Sequence, residues 1–268
     1  MVWYRPPPPS PGDPVSHIDV EQIPVLKDNY VYLVRDRASG NVAVVDPAVS
    51  EPVIERLKAL GWRLTHILNT HHHGDHVGGN LALKAATGCT IVGPRADKDR
   101  IPGIDVEVGD GETYRLGGAE AKVFDVPGHT RGHIAYWFAE SDALFCGDTL
   151  FACGCGRLFE GTPQQMWTSL GKLRRLPDAT RVYCAHEYTQ SNIRFALSVD
   201  AGNAALVARS RQVDALRAEG KPTVPSTMAE ERATNPFLRA DDAALAAAVG
   251  GGDPVAVFAA VRKAKDVF

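Results

Sequence analysis

The most constraining feature of this chain is a cluster of histidine and aspartate at residues 70–76, which reads T-H-H-H-G-D-H. The pattern H-x-H-x-D-H within it directly follows residues 65–69, an apolar segment typical of a buried strand. Alternate residues of an extended segment point the same way, so His71 and His73 can bind one metal ion while His72 points away. The sequence therefore predicts a metal centre at the end of a strand.

Further candidate ligands lie in the same cluster and after later apolar runs. Asp75 and His76 follow a glycine, where the chain can turn and supply a second metal. His129, Asp148 and His186 each end a predicted strand, where functional residues of layered α/β folds commonly lie. If one carboxylate bridges, the set suffices for two metals, which at a separation of roughly 3.5–4 Å can hold and activate a hydroxide. The predicted metal ligands are His71, His73, Asp75, His76, His129, Asp148 and His186.

Composition excludes several other classes of protein. The chain has 268 residues, of which 44% are hydrophobic and 23% charged, as in an ordinary soluble globular protein. Its net charge of −3 provides no positive field for nucleic acid or anionic lipid, and no apolar stretch reaches the roughly 18 residues of a membrane helix. The five cysteines lack the spacing of a disulfide framework, which suits a reducing cytosol. We therefore expect a cytoplasmic protein, and a monomer because no segment indicates an obligate interface.

Changes in composition along the chain indicate three regions. Residues 1–16 are rich in proline and are expected to form a flexible leader. Residues 17–187 alternate β-branched runs with helical patterns, which predicts an α/β domain that carries the metal ligands. Residues 188–268 are rich in alanine and arginine at helical spacing, which predicts a second, all-α domain.

Several segments resemble a known family. The H-x-H-x-D-H core, G-H-T at residues 128–130, G-D-T at residues 147–149 and the strand that ends at His186 resemble the metallo-β-lactamase superfamily. Residues 154–162 and the R-x-x-K-D ending at residues 262–266 are similar to glyoxalase II, the hydroxyacylglutathione hydrolase family. The resemblance implies a four-layer αββα sandwich followed by a C-terminal helical domain that binds substrate.

The resemblance also implies a role for individual residues. It assigns the first metal to His71, His73 and His129, the second to Asp75, His76 and His186, and the bridge to Asp148. It assigns glutathione binding to Arg157, Phe159, Tyr188, Asn192, Arg262 and Lys265. Asp75 and Asp148 would also take part in catalysis, Asp75 by orienting the nucleophile. Some members have tyrosine where this chain has Phe159, which carries no hydroxyl.

The implied reaction is hydrolysis of S-(2-hydroxyacyl)glutathione thioesters. S-D-lactoylglutathione would give glutathione and D-lactate through attack by a metal-bridging hydroxide, the second step of methylglyoxal detoxification. The cofactor would be two divalent ions, with zinc preferred and iron or manganese also suitable, because histidine and aspartate bind all three. The alternative is a persulfide dioxygenase-like oxidoreductase with one iron, whose members share the core motif but generally lack the R-x-x-K-D ending. A metal-binding module without catalysis and a metal-dependent nuclease fit the sequence less well.

Overall fold

Two six-stranded β-sheets form the centre of the computed structural model, which describes residues 16–268. Residues 1–15 of the predicted leader lie outside the described part. The strands of the first sheet are β1 (Ile18–Val25), β2 (Asn29–Asp36), β3 (Val42–Val45), β4 (Leu64–Leu68), β5 (Thr90–Pro94) and β6 (Val106–Val108). They lie in sequence order; β1, β2 and β3 pair antiparallel, and β3 to β6 pair parallel.

The second sheet has the strand order β14-β13-β10-β9-β8-β7 and is completed by a strand from the C-terminal region. The later strands are β7 (Thr113–Leu116), β8 (Ala119–Asp125), β9 (Ile134–Phe138), β10 (Ala143–Gly147), β11 (Leu150–Phe151), β12 (Gly154–Cys155), β13 (Arg181–Cys184) and β14 (Ser226–Thr227). Strands β11 and β12 pair with each other as a short hairpin beside this sheet.

The helices begin and end at local sequence signals. Their bounds are α1 (Glu51–Leu60), α2 (Gly74–Val77), α3 (Asn80–Thr87), α4 (Pro163–Leu173), α5 (Thr189–Val199), α6 (Ala204–Ala218), α7 (Met228–Thr234), α8 (Ala243–Ala248) and α9 (Pro254–Val267), with short 3-10 helices at Arg95–Arg100, Ala139–Ser141 and Pro236–Leu238. Thr162 and Gln165 form a capping box at the start of α4, and Gly88 ends α3 in the left-handed conformation. Within residues 16–268, none of these helices has the length and apolarity needed to cross a membrane.

Alternating burial along the strands produces the layers. In β2, Tyr32 and Val34 face the second sheet, while Val31 and Leu33 pack against the helices on the other side. The rings of Tyr32 and Phe145 meet across the two sheets at a centroid distance of 5.6 Å. Helices α1 and α3 cover the outer face of the first sheet, and apolar residues of α4 and α9 join the core that contains the second sheet. The predicted αββα sandwich is confirmed.

The C-terminal helices pack on the β11–β12 hairpin through buried polar contacts. Glu231 of α7 accepts a hydrogen bond from the backbone N–H of Cys153 at 2.9 Å, and Arg209 of α6 pairs with the same carboxylate. Asn235 donates to the carbonyl oxygens of Phe151 and Gly154 at 3.1 and 2.9 Å. These contacts bring the helical segment to the side of the sandwich where β4, β10 and β13 end.

Candidate metal centre

Three of the predicted ligands converge at the end of β4. The Nδ1 atom of His73 lies 3.1 Å from the Nε2 atom of His71 and 3.1 Å from that of His129. A tetrahedral zinc ion with Zn–N bonds of 2.0–2.1 Å holds its nitrogen ligands about 3.3 Å apart, so this spacing matches one coordination sphere. We call these three side chains the first cluster.

A second group lies beside the first. The Nε2 atoms of His76 and His186 lie 3.7 and 3.5 Å from the Oδ2 atom of Asp75. The ligand atoms of the three side chains lie within 4.8 Å of one another. His76 and His186 are almost fully buried, whereas the Asp75 side chain is 40% exposed and faces the cavity described below. We call this group the second cluster.

Asp148 lies between the two clusters. Its Oδ2 atom is 3.4 Å from Nε2 of His129, and its Oδ1 atom is 3.4 Å from the Nε2 atoms of both His76 and His186. Each carboxylate oxygen thus faces a different cluster. This is the arrangement that a bridging ligand requires.

The loop that carries Asp148 is shaped by the residues around it. Gly147 has a φ of +48°, and a Cβ atom there would lie 2.2 Å from Oγ1 of Thr70, so a larger residue would displace the chain. The backbone N–H of Asp148 donates to Nε2 of His133 at 3.1 Å, and the ring of His133 stacks on His71 at 4.5 Å. His133 therefore positions both a predicted bridging ligand and a predicted ligand of the first cluster.

Hydrogen bonds at the far nitrogen orient three of the imidazoles. Asp46 lies 3.1 Å from Nδ1 of His76, and Asp28 lies 2.9 Å from Nδ1 of His186. Nδ1 of His129 lies 2.8 Å from the carbonyl oxygen of Arg157. Each contact directs Nε2 towards the centre, as in metal sites where a second hydrogen bond fixes the ligand ring. Sequence reasoning missed Asp46 and Asp28, although Asp46 directly follows the apolar run of β3.

Asp46 also comes within ligand distance of His71 and His76. Its two oxygens already accept hydrogen bonds from the backbone N–H and the hydroxyl of Thr70, at 2.7 and 2.6 Å. Asp46 therefore serves as a positioning carboxylate for His76.

Unsatisfied polar atoms show that the site suits divalent metal ions. Among the described residues, Nε2 of His76 and Oδ1 of Asp148 are buried without a hydrogen-bond partner. A buried polar atom without a partner is costly, and the two atoms face each other 3.4 Å apart at the second cluster. Ligand type, spacing and orientation therefore all fit bound cations.

The charge states of His71 and Asp148 suit metal binding. Burial and the neighbouring His76 and His133 lower the pKa of His71 well below its ordinary value, so its ring stays neutral, the form that binds a metal. Burial opposes the charge on Asp148, but His76 and His186 outweigh it and hold the pKa of that carboxyl well below its usual range. Asp148 is therefore an anion at neutral pH. Burial opposes the charge on His76 and His186, but Asp148 outweighs it and raises the pKa of both, so a metal ion competes with protons for these two rings.

A cavity of about 750 Å³ extends from the clusters to the C-terminal helices. The ring of Tyr188 stacks on His186 at a centroid distance of 4.7 Å. Phe159 is 63% exposed and makes edge contacts with the rings of His73 and His129. The structure brings all six residues predicted to bind glutathione to this cavity, namely Arg157, Phe159, Tyr188, Asn192, Arg262 and Lys265.

The basic residues of the cavity differ in their exposure and in their contacts with the rest of the protein. Arg262 is only 5% exposed, and its guanidinium donates to the carbonyl oxygen of Cys155 at 3.0 Å and pairs with Asp266 at 2.9 Å. Lys265 is half-buried, whereas the Arg157 side chain is 62% exposed. Arg262 is thus mainly held by the protein. Arg157, whose Nε atom is 3.8 Å from Asp266, and Lys265 are the more exposed cations of the cavity.

Asn192 and Arg194 complete this side of the cavity. The buried Asn192 donates to the carbonyl oxygen of Ala152 at 3.1 Å, which fixes its side chain beside the hairpin. Arg194, two residues further along α5, was not predicted from the sequence because an exposed arginine on a helix has no distinguishing pattern.

Two family models match the chain. Residues 26–186 match the model described as the metallo-beta-lactamase superfamily, so the chain belongs to that superfamily. The solved structure of ETHE1 from Myxococcus xanthus aligns with a TM-score of 0.63 and 29% identity, covering 82% of this chain and 84% of that chain. Residues 187–268 match the model described as the hydroxyacylglutathione hydrolase C-terminus.

Curated relatives define the family more narrowly. A hydroxyacylglutathione hydrolase from Methylococcus capsulatus is 62% identical over 253 residues, which cover 94% of this chain and 99% of the relative. Another from Rhodospirillum rubrum is 60% identical over 256 residues, covering 95% and 100%. Within the superfamily, the chain belongs to the hydroxyacylglutathione hydrolase family, and the resemblance inferred from the sequence motifs is confirmed.

Proposed function

We propose that this protein hydrolyses the thioester bond of S-(2-hydroxyacyl)glutathione, with S-D-lactoylglutathione as its main substrate and glutathione and D-lactate as products. The observation that carries the proposal is the position of Asp148 between two clusters of metal-binding side chains, in a cavity that also contains the basic residues of the helical segment. The names of the two bacterial relatives support the same reaction. In this proposal the protein acts as a cytoplasmic monomer in the second step of methylglyoxal detoxification.

The proposed cofactor is a pair of divalent metal ions. His71, His73 and His129 would hold the first ion, Asp75, His76 and His186 the second, and Asp148 both. Zinc is the preferred metal, with iron and manganese as alternatives that the same ligands accommodate. When bound, the two ions supply a water of lowered pKa and positive charge that stabilises the developing oxyanion.

The residues around the reacting thioester have separate tasks. Oδ2 of Asp75 accepts a hydrogen bond from Asn29 at 3.1 Å, which fixes the carboxylate so that it can orient the attacking water. The departing thiolate requires no dedicated general acid, because a free thiol has a pKa of about 8.5. Asp75, which lines the cavity, would therefore orient the water that attacks the thioester carbonyl. The glutathione thiolate would leave without help from a further residue.

The glutathione part of the substrate would bind at the end of the cavity that is lined by the C-terminal helices. Residues 17–187 would form the catalytic domain and residues 188–268 the substrate-binding domain. Glutathione carries two carboxylates, and in a chain of net charge −3 the attraction must come from local cations such as Arg157 and Lys265. Tyr188 and Asn192 would contact the peptide, with Phe159 offering an apolar surface in place of a hydroxyl.

The test is a direct assay of purified protein. Loss of thioester absorbance is followed with S-D-lactoylglutathione, and metal content is measured on the same sample. The control substrate is the D-lactoyl thioester of N-acetylcysteamine, which has the same reacting bond without the two carboxylates and should be hydrolysed far less efficiently. Protein with two bound metals and no turnover of the glutathione thioester would refute the proposal. Oxygen uptake with glutathione persulfide instead would support the one-iron oxidoreductase.

A further inference from the structure

A network of polar side chains lies behind the first cluster. Nδ1 of His72 is 3.0 Å from Oδ2 of Asp97, and Nη1 of Arg100 is 3.1 Å from Nε2 of His72. Because a guanidinium can only donate, Nε2 of His72 accepts, and the proton on Nδ1 is donated to Asp97. The residue between His71 and His73 is thereby held in one orientation.

Arg100 extends this network to the turn that carries His129. Its Nε atom donates to Oδ1 of Asp97 at 3.2 Å, and its Nη2 atom donates to Oε2 of Glu160 at 3.0 Å. The same oxygen of Glu160 accepts from the backbone N–H of Arg131 at 2.8 Å. Arg100 therefore joins, through two carboxylates, the two segments that carry the three ligands of the first cluster.

The network is closely packed at Asp97, whereas the side chains of Arg100 and Glu160 are 31% and 23% exposed. Asp97 is 3% exposed, and a Cβ atom on Gly132 would lie 2.2 Å from its carboxyl carbon, so this carboxylate fits directly against the turn. The hydrogen bond from Arg100 lowers the pKa of Glu160 to about 2, and the pair is therefore charged at neutral pH. The second cluster is held by other side chains; Asp28, for example, contacts His186.

We propose that Arg100 and Glu160 are positioning residues that hold residues 71–73 against the His129 turn, so that the first cluster is already formed before its metal binds. Neither side chain lies in the substrate cavity as the structure describes it. The inference rests on the proposed two-metal centre. Its consequence is selective, since loss of the Glu160 carboxylate should weaken one of the two metal equivalents about tenfold or more and leave the other unchanged.

Metal titration of the full chain tests this selectivity. Metal-free protein competes with a chromophoric chelator for Zn²⁺, which yields two dissociation constants for the unaltered protein. Glu160→Gln should raise only one of them, and Arg100→Gln added to it should produce little further change. The control Glu112→Gln breaks the exposed pair with Arg95, at the start of the same 3-10 helix, and should alter neither constant. Asp28→Asn combined with Glu160→Gln should weaken both equivalents.

The outcomes separate the two proposals. An unaltered protein that binds no metal would refute the proposed function itself. Two unchanged constants in Glu160→Gln would refute the positioning role, and so would equal weakening of both equivalents, which indicates general loss of structure. If thermal unfolding shows that Glu160→Gln does not fold, Arg100→Lys takes its place, because lysine keeps the charge but cannot make the forked contact. Arg100→Lys should raise the same single dissociation constant for Zn²⁺. If it raises neither constant, or both equally, the positioning role is also refuted.

Discussion

Lys265 gives the proposed substrate site a charge that titrates near physiological pH. Its Nζ atom is 3.3 Å from the carbonyl oxygen of Ser191 and lies over the rings of Phe195 and Phe268. Burial, together with the nearby charge of Arg262, lowers the pKa of Lys265 to about 8. The side chain is therefore a cation below that pH and becomes neutral above it.

We expect kcat/KM for S-D-lactoylglutathione to fall as the pH rises through about 8, since kcat/KM follows ionisation of the free enzyme. A charge-assisted hydrogen bond contributes about 1.5–3 kcal/mol when desolvated and about 1 kcal/mol or less when exposed. For the half-buried Lys265 an intermediate value of about 1.4 kcal/mol corresponds to a tenfold change. Lys265→Met should lower kcat/KM by about that factor at neutral pH, and kcat should change little because the contact is remote from the carbonyl.

Initial rates across neutral and alkaline pH, corrected for spontaneous hydrolysis, measure this effect. In Lys265→Met, kcat/KM should no longer fall at alkaline pH. In Lys265→Arg, kcat/KM should stay high at alkaline pH because the guanidinium remains charged. Lys263→Met is the matched control, since Lys263 is an exposed lysine on the same helix and should leave the profile unchanged. An alkaline fall that persists in Lys265→Met would refute the assignment.

Three further predictions concern the metal centre and the stability of the chain. Asp148→Asn keeps the side-chain shape but removes the negative charge between the clusters, so both metals should bind more weakly and turnover should fall; two tightly bound metals with full turnover would contradict it. Arg262→Met leaves the carbonyl oxygen of Cys155 without its buried donor, and urea denaturation should show a loss of about 1–3 kcal/mol in the free energy of unfolding; unchanged stability would count against this. Removing metal with a chelator should abolish hydrolysis and added Zn²⁺ should restore it, whereas full activity of metal-free protein would show that no metal is required.

The parts of the fold that depend on local signals were predictable from the sequence. Helix α3 spans Asn80–Thr87 as its pattern and the following glycine indicate, and the apolar run at β9 gives the strand Ile134–Phe138. The spacing of His71 and His73 also predicts that they converge, because period-two geometry is set by the backbone alone. The short segment 71–76 thus provides four of the seven predicted metal ligands.

The remaining features depend on contacts between distant segments. Asp46 and Asp28 reach their histidines only after the strands have paired, so the local sequence does not show which histidine each one contacts. Arg262 and Lys265 share a helix face, but only the packed structure distinguishes the buried cation from the half-exposed one. Helix α7 is different, because its start carries a local signal: Thr227 and Glu230 form a capping box there.

The two-residue strand β14 has a consequence for the edge of the second sheet. It pairs with β13 through Ser226 and Thr227 and so covers the edge of the second sheet. A chain cut after residue 186, where one family model ends and the other begins, would expose that edge and its unpaired backbone groups as a template for other strands. We therefore expect a chain cut at that point to associate through this edge more readily than the intact chain.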